Sequence, residues 1–178
     1  MEIWAESEIL YEGKIIRLRV GEVTLDNGQR AFREVVEHPG GVCIIPYTGH
    51  SVVLVRQFRI ALGRYLLEAP AGKLEGDEDP GHRAACELEE ETGYRAGQIV
   101  PIGTAHSSVG FCSENIHLFL ALDLEKTQAC PEEEERIELV EMPIGEIRKA
   151  LRENRFDDGK TIIGLYALLN HLGVGIQG

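Results

Sequence analysis

Basic side chains are scarce in this sequence: eighteen Lys and Arg stand against thirty Asp and Glu, a formal charge of −12 at pH 7. A nucleic-acid surface needs clustered cations to displace counterions, so this balance argues against one. It leaves phosphate compounds open, because metal ions can stand between an acidic pocket and a pyrophosphate. The four cysteines, Cys43, Cys86, Cys112 and Cys130, form no CxxC pair and no metal spacing with histidine, and the six histidines include no HExxH. Buried or free thiols are expected rather than a disulfide framework. No apolar run approaches the length of a transmembrane helix, and MEIWAESEIL at the start lacks a signal-peptide core. A cytoplasmic location is the expectation.

A chain of 178 residues, 43% hydrophobic and 27% charged, suits one globular domain with its own core. The pattern over residues 3–38 reads as a β-ribbon, with Asp26-Asn27-Gly28 as a hairpin turn. Gly40-Gly41 breaks the chain. VCIIPY and SVVLVRQF follow as two buried strands joined at Thr48-Gly49-His50, both expected in a central sheet. An extended segment near GQIVPIGTA, a Ser/Gly loop at SSVGFCSEN and the strand IHLFLALDL come later. The acidic run PEEEER, 131–136, interrupts the β pattern before IELVEM resumes it. Two helices close the chain, the first near Ile144 to Glu153 and the second opened by Asp157-Asp158-Gly159. The order predicts a mixed α+β sandwich, a sheet core flanked by helices.

Between these parts lies the most chemically loaded stretch, GKLEGDEDPGHRAACELEEETGY, from Gly72 to Tyr94. Asp79 suits an N-cap and Pro80 the first helical position, where a missing N–H costs nothing. Gly93 ends the helix. Ala84, Ala85 and Leu88 make its apolar side, and Glu87, Glu90 and Glu91 share another face at i, i+3 and i+4. Carboxylates in the last turn oppose the helix dipole, and Glu87 repels Glu91. Arg83 can reach Glu87, but a divalent cation is the stronger counterweight. An all-oxygen donor set favours a hard ion such as Mg²⁺ or Mn²⁺. The plain alternative is a solvated acidic face, and the helix by itself leaves both readings open. A calcium loop at EGDEDP is a poor alternative: it lacks the EF-hand spacing and central glycine, and Pro80 is misplaced for it.

The whole stretch resembles the Nudix hydrolase signature. Gly72, Glu78, Glu87, Leu88, Glu90, Glu91, Gly93 and Tyr94 match it in one register, and Cys86 stands where the signature has arginine. Within that superfamily the chain is most similar to the ADP-ribose pyrophosphatases, through REVVEHPGGV, VRQFR, LLEAPAGKLE and SVGFCSE in that order. Val109 replaces the proline that marks the subfamily.

The resemblance implies a Nudix-type α/β/α sandwich with a mixed central sheet and an N-terminal antiparallel β-ribbon. It implies one domain over 1–178, in which 1–38 contribute to a homodimer and 39–178 form the catalytic core. It also implies hydrolysis of ADP-ribose to AMP and ribose 5-phosphate. The Ala71 carbonyl and the Glu87 and Glu91 carboxylates would hold Mg²⁺, or Mn²⁺, with Glu90 bridging or orienting. Glu90 and Glu91 are thus also candidate catalytic residues, together with Glu135, or failing it Glu134, from the acidic loop. Arg59, and after it Arg56, would hold a phosphate or the terminal ribose. Arg33, Glu34 and Gly110 complete the substrate-binding set, at the adenine and ribose. The plain alternatives are strand arginines facing water, an outward-facing Glu34 and a solubilising loop. Other nucleoside diphosphate compounds, such as a nucleotide sugar or NADH, are the rival substrates. A nucleotide-binding protein that has lost catalysis is the rival from another class.

Overall fold

The computed structural model describes residues 1–129 and 136–176, and the chain divides into two compact units. The first comprises 1–40 and 106–115. Its frame is an antiparallel sheet of β1 (Glu2–Glu12), β2 (Arg17–Leu25) and β3 (Arg30–Glu37). The expected turn joins β2 to β3: Leu25 and Gly28 close it through Gly28 N–H donating to Leu25 O at 3.0 Å, and Asn27 Oδ1 accepts from Gln29 N at 3.0 Å. The Ser/Gly loop returns to this sheet. Val36 N–H donates to Phe111 O at 2.7 Å and Ser113 N–H to Val36 O at 2.9 Å, so 107–114 runs along β3.

The second unit, 41–105 and 116–178, carries two sheets and three helices within its described residues. Its strands are β4 (Gly41–Pro46), β5 (Ser51–Arg59), β6 (Arg64–Glu68), β7 (Ala71–Lys73), β8 (Tyr94–His106), β9 (Asn115–Lys126) and β10 (Glu138–Pro143). The mixed sheet runs β7-β4-β9-β8, with β4 parallel to β9 and antiparallel to β7. A smaller antiparallel sheet runs β10-β5-β6. The strands expected in one sheet, β4 and β5, therefore fall in different ones. All of β4 and the 51–55 half of β5 are buried on both faces, and a continuous apolar run carries no record of its partner.

The pleat of β4 sorts the core into two layers. Val42 and Ile44 pack with Ala84 and Leu88 of helix α1 (Pro80–Thr92) and with Phe119 and Ala121. Cys43 and Ile45 face Ile147 of α2 (Ile144–Arg152) and Leu165 and Leu168 of α3 (Gly159–His171). The sheet is thus filled on both sides, as α/β/α. Burial also raises the Cys43 thiol to about 12, which keeps it protonated.

Helix α1 begins and ends as its sequence dictates. Asp79 caps it by accepting from His82 N at 2.8 Å, and Gly93 closes it at φ 67°, a left-handed conformation that favours glycine. Helix α3 is capped by Asp158, whose Oδ2 accepts from Thr161 N at 3.1 Å and Thr161 Oγ1 at 2.5 Å. The same buried hydroxyl accepts from Ala69 N at 2.7 Å, tying the start of α3 to the link between β6 and β7.

Thr161→Val keeps the shape but strands the Ala69 N–H in the interior, which costs about 1–3 kcal/mol. Chemical denaturation should show Thr161→Val clearly less stable than both wild type and Thr161→Ser. A valine variant as stable as wild type would show that this hydroxyl does not tie the two elements.

Candidate active site

The carboxylates of α1 divide by depth. Glu87 and Glu91, four residues apart, are each 5% exposed, whereas the Glu90 side chain is 44% exposed. Helical spacing puts all three on one side, but only the first two lie against the sheet. Glu91 Oε2 accepts from Ala71 N at 3.2 Å, so the second carboxylate is fixed to β7. Glu87 lies over Gly72: a Cβ there would stand 1.4 Å from its Oε1 and 2.0 Å from its Cδ. Glycine here leaves the space that the Glu87 carboxylate occupies.

Arg83 pairs with Glu87 and lies 3.6 Å from Glu90. Burial alone would lower its pKa, yet Glu87 and Glu90 raise it beyond the ordinary value, so the guanidinium stays charged. Its Nε is buried with no hydrogen-bond partner among the described residues. Cys86, at the signature's arginine position, is half-buried, with Sγ 3.9 Å from His82 Nδ1. Burial and then Glu90 push its thiol pKa up, so it brings no charge to the cluster.

The donor chemistry fits a hard divalent cation: two buried carboxylates, a third nearby and a backbone carbonyl at Ala71. Among the described residues no three His, Cys, Asp or Glu groups already form a metal-holding array. A bound ion would therefore take part of its coordination from backbone oxygen, water or phosphate, as Mg²⁺ commonly does.

The arginines nominated for substrate are each engaged by a carboxylate. Arg56 Nη1 donates to Glu138 Oε2 at 2.8 Å, and its guanidinium lies 4.3 Å over the Tyr65 ring. Arg59 forms a two-pronged pair with Glu68, Nε to Oε1 at 2.6 Å and Nη2 to Oε2 at 2.8 Å. Lys160 Nζ adds a bond of 2.6 Å to the same Oε2 and lies 3.0 Å from Asp158. Burial pushes the Glu68 carboxyl up, but Arg59 and Lys160 outweigh it and hold it below the usual range. Its stabilising charge is therefore present at neutral pH and lost as pH falls through that lowered value. Glu68 and Lys160 were not among the sequence candidates. The only trace of Glu68 is a lone carboxylate in the apolar LLEAPAG.

In the first unit, Arg33 pairs with Glu2, Nε to Oε2 at 2.8 Å and Nη2 to Oε1 at 2.6 Å. Arg33, Glu34 and Gly110 line one cavity of about 480 Å³ with Phe32 and Phe111, so the loop along β3 brings all three candidates together. Glu134 and Glu135 lie outside the described residues.

Gly72→Ala should fold normally, because the side chain it meets can swing aside, but it must displace the Glu87 carboxylate. Mn²⁺ binding, followed by the spin-resonance signal of the free ion, should weaken by about ten-fold or more, the scale of a lost orienting contact. Unchanged affinity would remove Glu87 from the metal site.

A model of the NUDIX domain matches residues 37–162. The chain is 40% identical over 166 residues to a methanol dehydrogenase activator of Bacillus methanolicus, covering 92% of this chain and 90% of that protein. An ADP-ribose pyrophosphatase of Bacillus subtilis (strain 168) is 38% identical over 164 residues, 90% of this chain and 89% of the relative. A GDP-mannose pyrophosphatase of Salmonella typhimurium is 36% identical over 164 residues, 85% and 83% of the two chains. A solved structure of an ADP compounds hydrolase superposes with a TM-score of 0.85 over 97% of this chain and 94% of that one, at 19% identity, a likeness of fold. With its glutamate helix packed over Gly72 in a Nudix-type sandwich, the chain belongs to the NUDIX domain family.

Proposed function

We propose that the protein is a metal-dependent diphosphatase that cleaves ADP-ribose to AMP and ribose 5-phosphate. The observation that carries this reading is the buried pair Glu87 and Glu91, fixed over Gly72 and against Ala71 at the oxygen-rich end of α1. The ADP-ribose pyrophosphatase relative, at 38% identity over most of both chains, supports the substrate. Residues Glu87, Glu91, Glu90 and the Ala71 carbonyl would hold Mg²⁺ or Mn²⁺. Once bound, such ions supply charge neutralisation on the diphosphate oxygens. Arg59 and Arg56 grip a phosphate or the terminal ribose, and Glu90 or Glu91 orients the attacking water. A carboxylate of the 131–136 loop, Glu135 or Glu134, takes the water's proton as the new P–O bond forms in line with the leaving phosphate oxygen.

Adenine and its ribose are assigned to Arg33, Glu34 and Gly110, with Phe32 or Phe111 offering a ring face for stacking. In the homodimer proposed here they serve the substrate of the neighbouring copy. A cytoplasmic location accords with the small phosphorylated substrate; among the described residues no helix is long and apolar enough to cross a membrane.

GDP-mannose is the second reading, favoured by the Salmonella relative at 36% identity. Product release from ADP-ribose, GDP-mannose, another nucleotide sugar and NADH, each with and without Mg²⁺, separates the two. ADP-ribose should show the highest kcat/KM by about ten-fold, corresponding to about 1.4 kcal/mol of transition-state discrimination. Turnover should vanish without metal. A faster rate on GDP-mannose would overturn the substrate assignment, and no turnover of any compound would overturn the enzyme reading.

A further inference from the structure

The four residues from Glu68 to Ala71 are held at every position. Glu68 is clasped by Arg59 and Lys160, Ala69 N–H donates to Thr161 Oγ1, Pro70 O accepts from Ile44 N at 3.0 Å, and Ala71 N–H donates to Glu91. One short segment therefore fixes both an arginine of β5 and a carboxylate of α1. At 2% exposure the Glu68 carboxylate is among the most buried charges in the molecule, while the side chain it grips, Arg59, is 40% exposed. The arginine spends Nε and Nη2 on Glu68, and among the described residues Nη1 has no hydrogen-bond partner. The guanidinium is thus anchored along one edge and presents the other.

Stability alone is a poor reason for this arrangement. Removing several charges from water costs more than their attraction commonly returns, and a well-packed apolar group of similar volume does as well or better. What a two-pronged carboxylate gives that an apolar group does not is direction: it sets the plane of the guanidinium and removes most of its rotamers. Lys160 and Asp158 complete the charge balance around Glu68, so that the carboxylate stays ionised without consuming Arg59's outer edge.

We propose that Glu68 is a positioning residue for substrate phosphate binding, acting through Arg59: it aims the free edge of the guanidinium in fixed register with the Glu91 end of the metal site. This rests on the diphosphatase reading above. Glu68 touches no substrate itself. Its loss should leave the reacting carboxylates in place and weaken the hold on the diphosphate, so KM rises while kcat changes little.

The test is a double-mutant cycle on the compound that wild type turns over fastest. Glu68→Gln is isosteric but turns one acceptor into a donor facing Lys160 and Arg59, and Arg59→Lys keeps the charge but has no fork. Each alone should raise KM about ten-fold with kcat within about two-fold, equivalent to roughly 1.4 kcal/mol of binding. The double variant should be no worse than about two-fold beyond Arg59→Lys alone, because the two act as one unit. Leu168→Ala is the control: it opens a cavity in the core and lowers the melting temperature but touches neither Glu68 nor Arg59, so its KM should stay at the wild-type value. Should Glu68→Gln fail to fold, Glu68→Asp takes its place, keeping the charge and withdrawing it by one methylene. Additive effects, near a hundred-fold in the double variant, would overturn the proposal, as would a KM increase in Leu168→Ala equal to that in Glu68→Gln. Those results leave the enzyme reading standing, whereas absence of wild-type turnover on every compound overturns that reading and this inference with it.

Discussion

Two carboxylates buried on one face of α1, near its C-terminal end, set the terms for the rest of the molecule. Glu87 and Glu91 are like charges one turn apart, in the half of the helix where the backbone dipole is negative. Such a pair resists burial, and its place in the structure depends on what surrounds it. Ala84 and Leu88, fully buried against Val42 and Ile44, press the helix onto the mixed sheet and bring the glutamates down with them. Asp79 and Gly93 fix where the helix starts and stops, and hence which side chains face β7. The electrostatic cost is carried by the packing of the adjacent stripe.

Seen from the sheet, the segment from Glu68 to Gly72 performs the complementary task. It offers Glu91 a backbone N–H, leaves room for Glu87 where a side chain would stand, and holds Arg59 through Glu68. Thr161 and Lys160 secure it from α3, a helix more than ninety residues away in sequence from Ala69. Anionic and cationic parts of the site are thereby built on one rigid stretch, which suits a diphosphate that must meet both. The first unit holds an aromatic-edged cavity lined by Arg33 and Glu34.

Local signals were legible in the sequence. The caps of α1, the Asp-Asn-Gly hairpin, and the capped start of α3 rest on contacts within a few residues, and all appear where turn and cap chemistry put them. The glutamate spacing put Glu87, Glu90 and Glu91 on one side of the helix. It did not rank Glu87 and Glu91 above Glu90 for burial, because that depends on where the sheet lies. Nor did it reveal which sheet takes β5, since VVLV is apolar on both faces. Glu68 escaped notice because its partners lie at positions 59 and 160, and the only local sign is a charge in an apolar run. The return of 107–114 to β3 likewise depends on a hydrogen-bond ladder that no local pattern announces.

If a divalent cation is what reconciles the buried glutamates with the fold, its binding must appear as stability. The most direct measurement is the melting temperature of wild type, Glu87→Gln and Glu91→Gln across a Mg²⁺ titration at neutral pH. Without metal, Glu91→Gln should be as stable as wild type or slightly more so, because a like-charge pair has been relieved, whereas Glu87→Gln also gives up its pair with Arg83 and should be less stable than Glu91→Gln. With metal, the wild-type melting temperature should climb steadily, reflecting a gain of about 2.7 kcal/mol in stability when the ion reaches a hundred times its dissociation constant, and each variant should lose most of that climb. A wild-type melting temperature indifferent to Mg²⁺, or an equal rise in all three proteins, would contradict the account.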